Sequence, residues 1–371
     1  MSSNDPAEIL MPHEPTARFK QSIISVLVVL ACGLGTGAQQ SGTTASNDRE
    51  RGIQLYNQRD TKGAISSLRA AVKSDKEDGF AWYYLGMALV REDDLKNARK
   101  AFDAAVKLKP DFGFAHTGLA FTLMAAGKDE EAGREASTAI KLKAADTEAH
   151  YILGVVHLRL WRNTEARSEA DIAIAQDPKF APAYLLKCQT VLAIEGEASA
   201  RSAKVIHVPT DGPLSESEIA ERRRRARKTA ESYAIAGDAL EMYLKLAASD
   251  RETAVWQGQL ETLRAFAGAA QAAERRVFAG WEVTTKVKIL QKTEPIYTER
   301  ARMAGIAGTV ILRAVFSSTG VVEHVLVVRS LPDGLTEQSI QAASRIRFTP
   351  ATRDGKPVSM IMELQYNFNF Y

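Results

Sequence analysis

The chain has 371 residues, of which 45% are hydrophobic and 25% are charged, and its formal net charge is +3. These proportions are typical of folded globular protein, and the length is sufficient for two domains. The net charge is too small to indicate nucleic-acid binding. The two cysteines, Cys32 and Cys188, lie far apart in sequence, which argues against a disulfide framework or a metal cluster.

Residues 1–40 carry a predicted export or anchoring signal. Arg18 and Lys20 precede an apolar run from Ile23 to Leu34, and small residues follow as far as Ala38. The run is about a dozen residues long, shorter than the ~20 that a spanning helix needs. Three outcomes stay open: cleavage after Ala38, lipid attachment at Cys32 in a segment that resembles the bacterial lipobox, and retention as an inner-membrane anchor. All three place the rest of the chain in the periplasm or cell envelope.

From about Asp48 the chain repeats a pattern with a period of about 34 residues. One complete unit runs from Gly79 to Phe112. Its pattern positions are Trp82, Leu85, Gly86, Leu89, Ala98, Phe102, Ala105 and Pro110. This order resembles the tetratricopeptide repeat, in which each unit is a pair of helices. Because no pair can bury its apolar face alone, the pairs must stack, and we expect an α-helical tetratricopeptide solenoid over residues 45–272.

The end of the repeat region departs from this pattern. Residues 195–214 contain Gly196, Pro209 and Gly212 and predict an insertion loop. Ser215, with a glutamate three residues later, is typical of a capping box and opens a long predicted helix. That helix contains the basic run Arg222–Lys228, which is either a solvated face or a contact for anionic lipid or an acidic partner.

From about Trp281 the hydrophobic period changes from helical to alternating. Alternation predicts strands at 309–316, 321–330 and 360–370, with a helix at 335–345. The region 283–371 is therefore expected to be a small α+β domain with an antiparallel sheet.

The same region contains a series of short motifs. They are Pro295-Ile296-Tyr297, Gly308-Thr309-Val310, Gly320-Val321-Val322, Gly334-Leu335, Phe348-Thr349-Pro350-Ala351 and Asp354-Gly355. Their order and spacing resemble the C-terminal domain of the TonB family. Thr298 departs from the family, which usually has a proline there, and we expect this residue to loosen the turn.

The tetratricopeptide resemblance implies that the first helix of each unit lines an inner groove. The side chains expected there form an apolar, partly aromatic trough for a peptide. They are Phe80, Tyr83, Met87, Val90, Arg91, Phe114, Phe121, Met124, Tyr151, Val155, Leu158 and Arg159. The alternative is that the insertion or the C-terminal domain covers this face.

The TonB resemblance implies that a segment of an outer-membrane receptor adds to the sheet as an extra strand. Regular alternation makes the last strand the expected edge. Its residues are Leu364, Gln365, Tyr366, Asn367, Phe368, Asn369 and Phe370.

The sequence contains no catalytic constellation with usable spacing. His116 and His150 occupy the repeat position of Trp82, so we interpret them as packing residues and not as metal ligands. The prediction is a non-enzymatic protein-binding adaptor without metal, cofactor, nucleic acid or small-molecule substrate.

The TonB resemblance further implies a link to TonB-dependent receptors in transmembrane transport. The family typically couples energy through a histidine in a membrane helix, and residues 22–34 contain no histidine. The alternative function is a periplasmic scaffold for envelope assembly that transduces no energy.

Overall fold

The computed structural model describes residues 44–142, 146–205, 215–247, 253–268, 277–303, 305–331 and 333–369. The predicted N-terminal signal, including Cys32, lies outside these residues. The described chain forms two compact units, residues 44–186 and residues 187–369.

The first unit is a series of helix pairs. Its helices are α1 (Thr44–Asn57), α2 (Thr61–Ser74), α3 (Gly79–Arg91), α4 (Leu95–Leu108), α5 (Gly113–Ala125), α6 (Asp129–Lys141), α7 (Asp146–Arg159), α8 (Asn163–Gln176) and the start of α9 (Ala181–Val205). From α1 to α8 each helix packs against the next along the chain. The predicted stack of tetratricopeptide helix pairs is confirmed.

The repeat period is also visible in the backbone of the turns. Arg59, Asp93, Gly127 and Trp161 have φ angles of 64°, 66°, 71° and 60°. Each lies between the two helices of a repeat, 34 residues from the next. The following residue donates its N–H to a carbonyl five positions earlier, as Asp94 does to Leu89 at 2.9 Å. This hydrogen bond ends the first helix and offsets the cost of the left-handed residue, which is about 1–2 kcal/mol when that residue is not glycine.

Small residues in this unit are required by the close approach of helices. A methyl group on Gly86 would lie 2.7 Å from the ring of Phe102, and one on Gly118 would lie 2.5 Å from the same ring. The Phe102 side chain has no solvent exposure. One aromatic ring therefore fixes two glycine positions on helices of successive repeats.

The second unit combines helices with a sheet domain. After α9 come α10 (Glu216–Leu246), α11 (Thr253–Gly268), β1 (Lys288–Gln291), α12 (Glu299–Met303), β2 (Gly308–Phe316), β3 (Val322–Arg329), α13 (Leu335–Ser344), β4 (Arg347–Thr349), β5 (Ala351–Arg353), β6 (Lys356–Val358) and β7 (Met360–Phe368). The main sheet has the antiparallel order β3-β2-β7, and β1-β4 and β5-β6 form two short ladders. The predicted α+β domain is confirmed.

Helix α9 corrects the predicted insertion loop. It continues through Gly196 to Val205, so residues 195–205 are helical, and residues 206–214 lie outside the described chain. Alanine, glutamate, lysine and arginine dominate this stretch and favour helix. The single glycine costs only about 1 kcal/mol, which these neighbours and packing can offset.

Both faces of the main sheet are covered. On one face, β2 and β7 bury Leu312, Phe316 and Leu364 in a core that also includes residues of α13. On the other face Ile311 and Leu326 are also buried. Helix α11 packs against β3, and a methyl group on Gly196 of α9 would lie 2.7 Å from the carbonyl oxygen of Val328. The helices that precede the sheet domain thus form its second layer.

Thr298 corrects the expectation of a loosened turn. Its hydroxyl donates to the carbonyl oxygen of Asp333 at 2.6 Å and accepts the N–H of Ala301 at 3.2 Å. The threonine therefore caps the start of α12 and ties it to the turn before α13.

We expect G118A to lower the free energy of unfolding by about 1–3 kcal/mol, because the new methyl group overlaps the ring of Phe102. G258A is the matched control, since a methyl group there meets nothing within 4 Å inside α11. That control should stabilise by about 0.5–1 kcal/mol, the usual gain of alanine over glycine in a helix. Chemical denaturation of each variant measures both effects. Equal effects of the two substitutions would contradict the steric argument.

Candidate protein-binding surfaces

The side chains predicted to line the repeat groove are mostly buried. Their exposed fraction is below 9% for Tyr83, Met87, Val90, Phe121, Met124, Val155 and Leu158. Phe80 is 40% exposed, and Phe114 and Tyr151 are half-buried. The first helices of successive repeats contact one another, which contributes to this burial. The seven buried side chains therefore do not present an open apolar trough, and Phe80, Phe114 and Tyr151 are its accessible aromatic residues.

Arg91 and Arg159 connect successive repeats. The Arg91 guanidinium donates to the carbonyl oxygen of Tyr56 at 2.6 Å and lies 3.7 Å from the centroid of that tyrosine ring. Arg159 donates to the carbonyl oxygen of Met124 at 2.7 Å and pairs with Asp129 at 3.0 Å. Each arginine reaches 35 residues back to the end of the preceding first helix. These two residues, predicted at the groove edge, have a structural role in stacking.

Two histidine–glutamate pairs repeat at the same position of successive units. The Nδ1 atom of His116 lies 2.6 Å from Glu135, and that of His150 lies 2.5 Å from Glu169. The sequence interpretation recognised the histidines but missed the glutamates, which lie 19 residues further on in the second helix. The signal was present, because Glu135 and Glu169 are themselves 34 residues apart.

His116 is held in a site that favours its charged form. Its Nε2 atom faces the carbonyl oxygen of Pro110 at 3.0 Å, so both ring nitrogens face acceptors. Only the doubly protonated ring can donate to both at once. The hydrogen bond to Glu135 accordingly raises the pKa of His116 above its usual range, although burial opposes it.

The last strand of the sheet domain lies at an edge. In the described residues β7 pairs with β2 on one side, from Gly308↔Phe368 to Phe316↔Met360. Leu364, Tyr366 and Phe368 point into the core, and burial raises the pKa of Tyr366 to about 12. Gln365, Asn367 and Asn369 are exposed, and Phe370 lies outside the described residues.

The direction of the β7 backbone groups follows from one contact. The N–H of Ile361 donates to the carbonyl oxygen of Phe278 at 2.9 Å, on the side away from β2. Peptide groups alternate in direction along a strand. The N–H groups of Glu363, Gln365 and Asn367 therefore point to the same outer side. Phe278 forms its bridge in the parallel sense, so it already begins a parallel ladder at this edge.

Arg313 joins the sheet to helix α10. It donates to the hydroxyl oxygen of Tyr233 at 2.5 Å and lies 3.6 Å from the carboxylate of Glu363 on β7. Burial raises the pKa of Tyr233 to about 12. This polar contact fixes the position of the helical layer beneath the β7 edge.

Within the described ranges no group of three or more histidine, cysteine or acidic side chains is placed to hold a metal ion. Cys188 is buried, and burial raises the pKa of its thiol to about 12.

No helix in the described part of the chain combines the length and hydrophobicity needed to cross a bilayer.

The fold and its edge strand define a class of protein: helical repeats followed by a small sheet domain with a strand at its border. Residues 293–370 match the model of the Gram-negative bacterial TonB protein C-terminal domain. Residues 49–111 and 118–179 match the tetratricopeptide repeat. The chain belongs to the proteins that join tetratricopeptide repeats to a TonB C-terminal domain. Both modules are protein-interaction modules, and together they support a protein-binding adaptor of the Gram-negative envelope.

Solved structures show only a distant likeness. A MamA structure is 18% identical, with a TM-score of 0.42, over 57% of this chain and 99% of its own. PilW, described as a widely conserved type IV pilus biogenesis factor, is 13% identical with a TM-score of 0.44, over 62% of this chain and 90% of its own. Pseudomonas aeruginosa pilF is 13% identical with a TM-score of 0.44, over 61% and 88%. These scores carry no argument about function. The comparison with curated proteins finds no match.

We expect H116Q to destabilise the protein more at about pH 5 than at about pH 8, by roughly 1 kcal/mol. The folded-state pKa of His116 is raised, so its stabilisation is full below the unfolded value of about 6.5 and is lost as the pH rises through the folded value. Denaturant titrations at both pH values measure the difference. H324N, at an exposed histidine, is the control and should show no such dependence. An equal loss for H116Q at both pH values would contradict the charged pair.

Proposed function

We propose that this chain is an envelope adaptor whose TonB-type domain recruits an extended segment of an outer-membrane receptor at the β7 edge. The observation that carries the proposal is the outward direction of the β7 peptide groups beyond Ile361. A partner strand gains its affinity from backbone hydrogen bonds and needs only an accessible edge. Because Phe278 is already bonded in the parallel sense, an added strand that continues its direction would run parallel to β7.

The repeat unit is proposed to hold a second protein partner on its inner face. Support comes from the accessible aromatic side chains of Phe80, Phe114 and Tyr151 at equivalent sides of successive first helices. Phe80 packs edge-on against Phe112 and lies under the Lys109 ammonium at 4.5 Å. A partner with apolar and acidic side chains fits such a surface.

The β7 proposal is tested by removing one outward N–H. In Q365P the proline lacks the donor that a partner strand would use, while its position on the outer side of an edge strand preserves pairing with β2. We expect roughly tenfold weaker binding of a peptide from the N-terminal segment of an outer-membrane receptor, since a net hydrogen bond contributes about 1–1.5 kcal/mol. Titration of the full chain with the labelled peptide measures this.

Q365A is the matched control, because alanine keeps the N–H and should bind within about twofold of the original chain. Equal binding by the two variants, with both folded, would overturn strand addition at this edge. Deleting residues 364–371 cannot serve instead, since it removes the core side chains of Leu364, Tyr366 and Phe368.

The second candidate function is a periplasmic scaffold for envelope assembly without energy transduction. The absence of a histidine from the apolar run at residues 22–34 favours it. Intact mass and membrane fractionation of the native protein separate the two functions. A full-length, carbonate-resistant species supports a transducer, because force must pass through a membrane anchor. Loss of residues 1–38 supports the soluble scaffold, and a lipidated Cys32 supports a tethered one.

A further inference from the structure

Helix α10 consists of a packed half and an unpacked half. All its buried residues lie at or beyond Tyr233, where the helix packs against α11 and reaches Arg313 of the sheet. From Glu216 to Ser232 every residue is exposed or half-buried. The packed half therefore fixes the direction of a helical segment that contributes nothing to the core.

The unpacked half carries a dense cluster of cations, which we call the basic face. Its members are the exposed residues Arg223, Arg224, Arg225, Arg227 and Lys228. At 100° per residue these side chains cover about 200° of the helix circumference. Arg223 with Arg227, and Arg224 with Lys228, are like-charge pairs at i,i+4, a spacing that destabilises a helix.

The nearby carboxylates do not balance this charge. Arg224 pairs with Glu221 at 3.0 Å, and Glu231 follows one turn after the cluster. Glu216 and Glu218 lie at the start of the helix, where Glu218 is engaged in the capping box with Ser215. Across residues 221–231 six cations face two carboxylates, a local excess of four positive charges.

An aromatic side chain borders the basic face. Trp281 is half-buried, and the Arg223 guanidinium lies 5.9 Å from the centroid of its ring. A tryptophan beside several arginines is the composition of surfaces that lie at a bilayer interface, where the indole sits at headgroup level.

We propose that the basic face binds the phosphate headgroups of an anionic phospholipid bilayer. Its cations are spread over a broad, convex helix surface without a pocket, which suits a plane of charges better than a single shaped ligand. Long arginine and lysine side chains reach such a plane as independent charges. Binding a polyanionic surface also relieves the repulsion within the helix. This function is independent of strand addition at β7.

The test is the partition of the full chain into vesicles of about 30% phosphatidylglycerol in phosphatidylcholine. Each cation near such a surface contributes about fivefold in affinity, so R223Q/R224Q/R227Q should lose roughly 10- to 100-fold. Binding by the original chain should also weaken steeply between about 50 and 500 mM salt, because salt screens the attraction. The apolar N-terminal run binds neutral and anionic vesicles alike, so the difference from pure phosphatidylcholine isolates the basic face.

Two matched variants keep the test decisive. K73Q/K76Q/K100Q removes three exposed cations from the repeat helices and should bind within about threefold of the original chain. R223K/R224K/R227K keeps the charge and should also retain binding, which excludes a folding defect as the cause. Equal binding by R223Q/R224Q/R227Q and the original chain, or an equal loss in the control triple, would overturn the proposal. Charge-dependent binding to polyglutamate without binding to vesicles would instead assign the face to an acidic protein.

Discussion

Strand β2 is apolar on both faces, and this constraint shapes the C-terminal unit. Leu312 and Phe316 point to one side of the sheet and Ile311 to the other, and all are buried. A strand buried on both faces needs a layer on each side. Helix α13 supplies one layer, and α10 and α11 supply the other. Since the central strand has no free face, strand addition in this unit falls to an edge of the sheet.

The two edges of the sheet differ for the same reason. At β3 the helix α9 approaches so closely that Gly196 has no room for a methyl group beside Val328. At β7 the outer side pairs with Phe278 only near the start of the strand, and Gln365 and Asn367 remain exposed. The helical layer thus closes one edge while Arg313, bonded to Tyr233, supports the strand at the other. The proposed recruitment of a partner strand rests on this asymmetry.

The repeat unit uses the 34-residue period for polar contacts as well as for packing. Left-handed turn residues, histidine–glutamate pairs and arginines that reach the preceding repeat all recur at equivalent positions. Each contact joins helices that the apolar pattern alone would leave free to slide. The inner face is correspondingly well packed, so a partner meets Phe80, Phe114 and Tyr151 and does not meet the deeper Met87 or Val155.

The sequence by itself determined the features that depend on local spacing. The repeat period, the capping box at Ser215, the alternation of β7 and the domain motifs all follow from residues close along the chain, where backbone geometry alone sets which side chains share a face. Tertiary structure decided what depends on distant partners. It buried Tyr83 and Val90, paired His116 with Glu135, made Thr298 a cap, and placed helices α10 and α11 on the sheet. Burial and pairing depend on which surfaces meet, and neither period nor alternation encodes that.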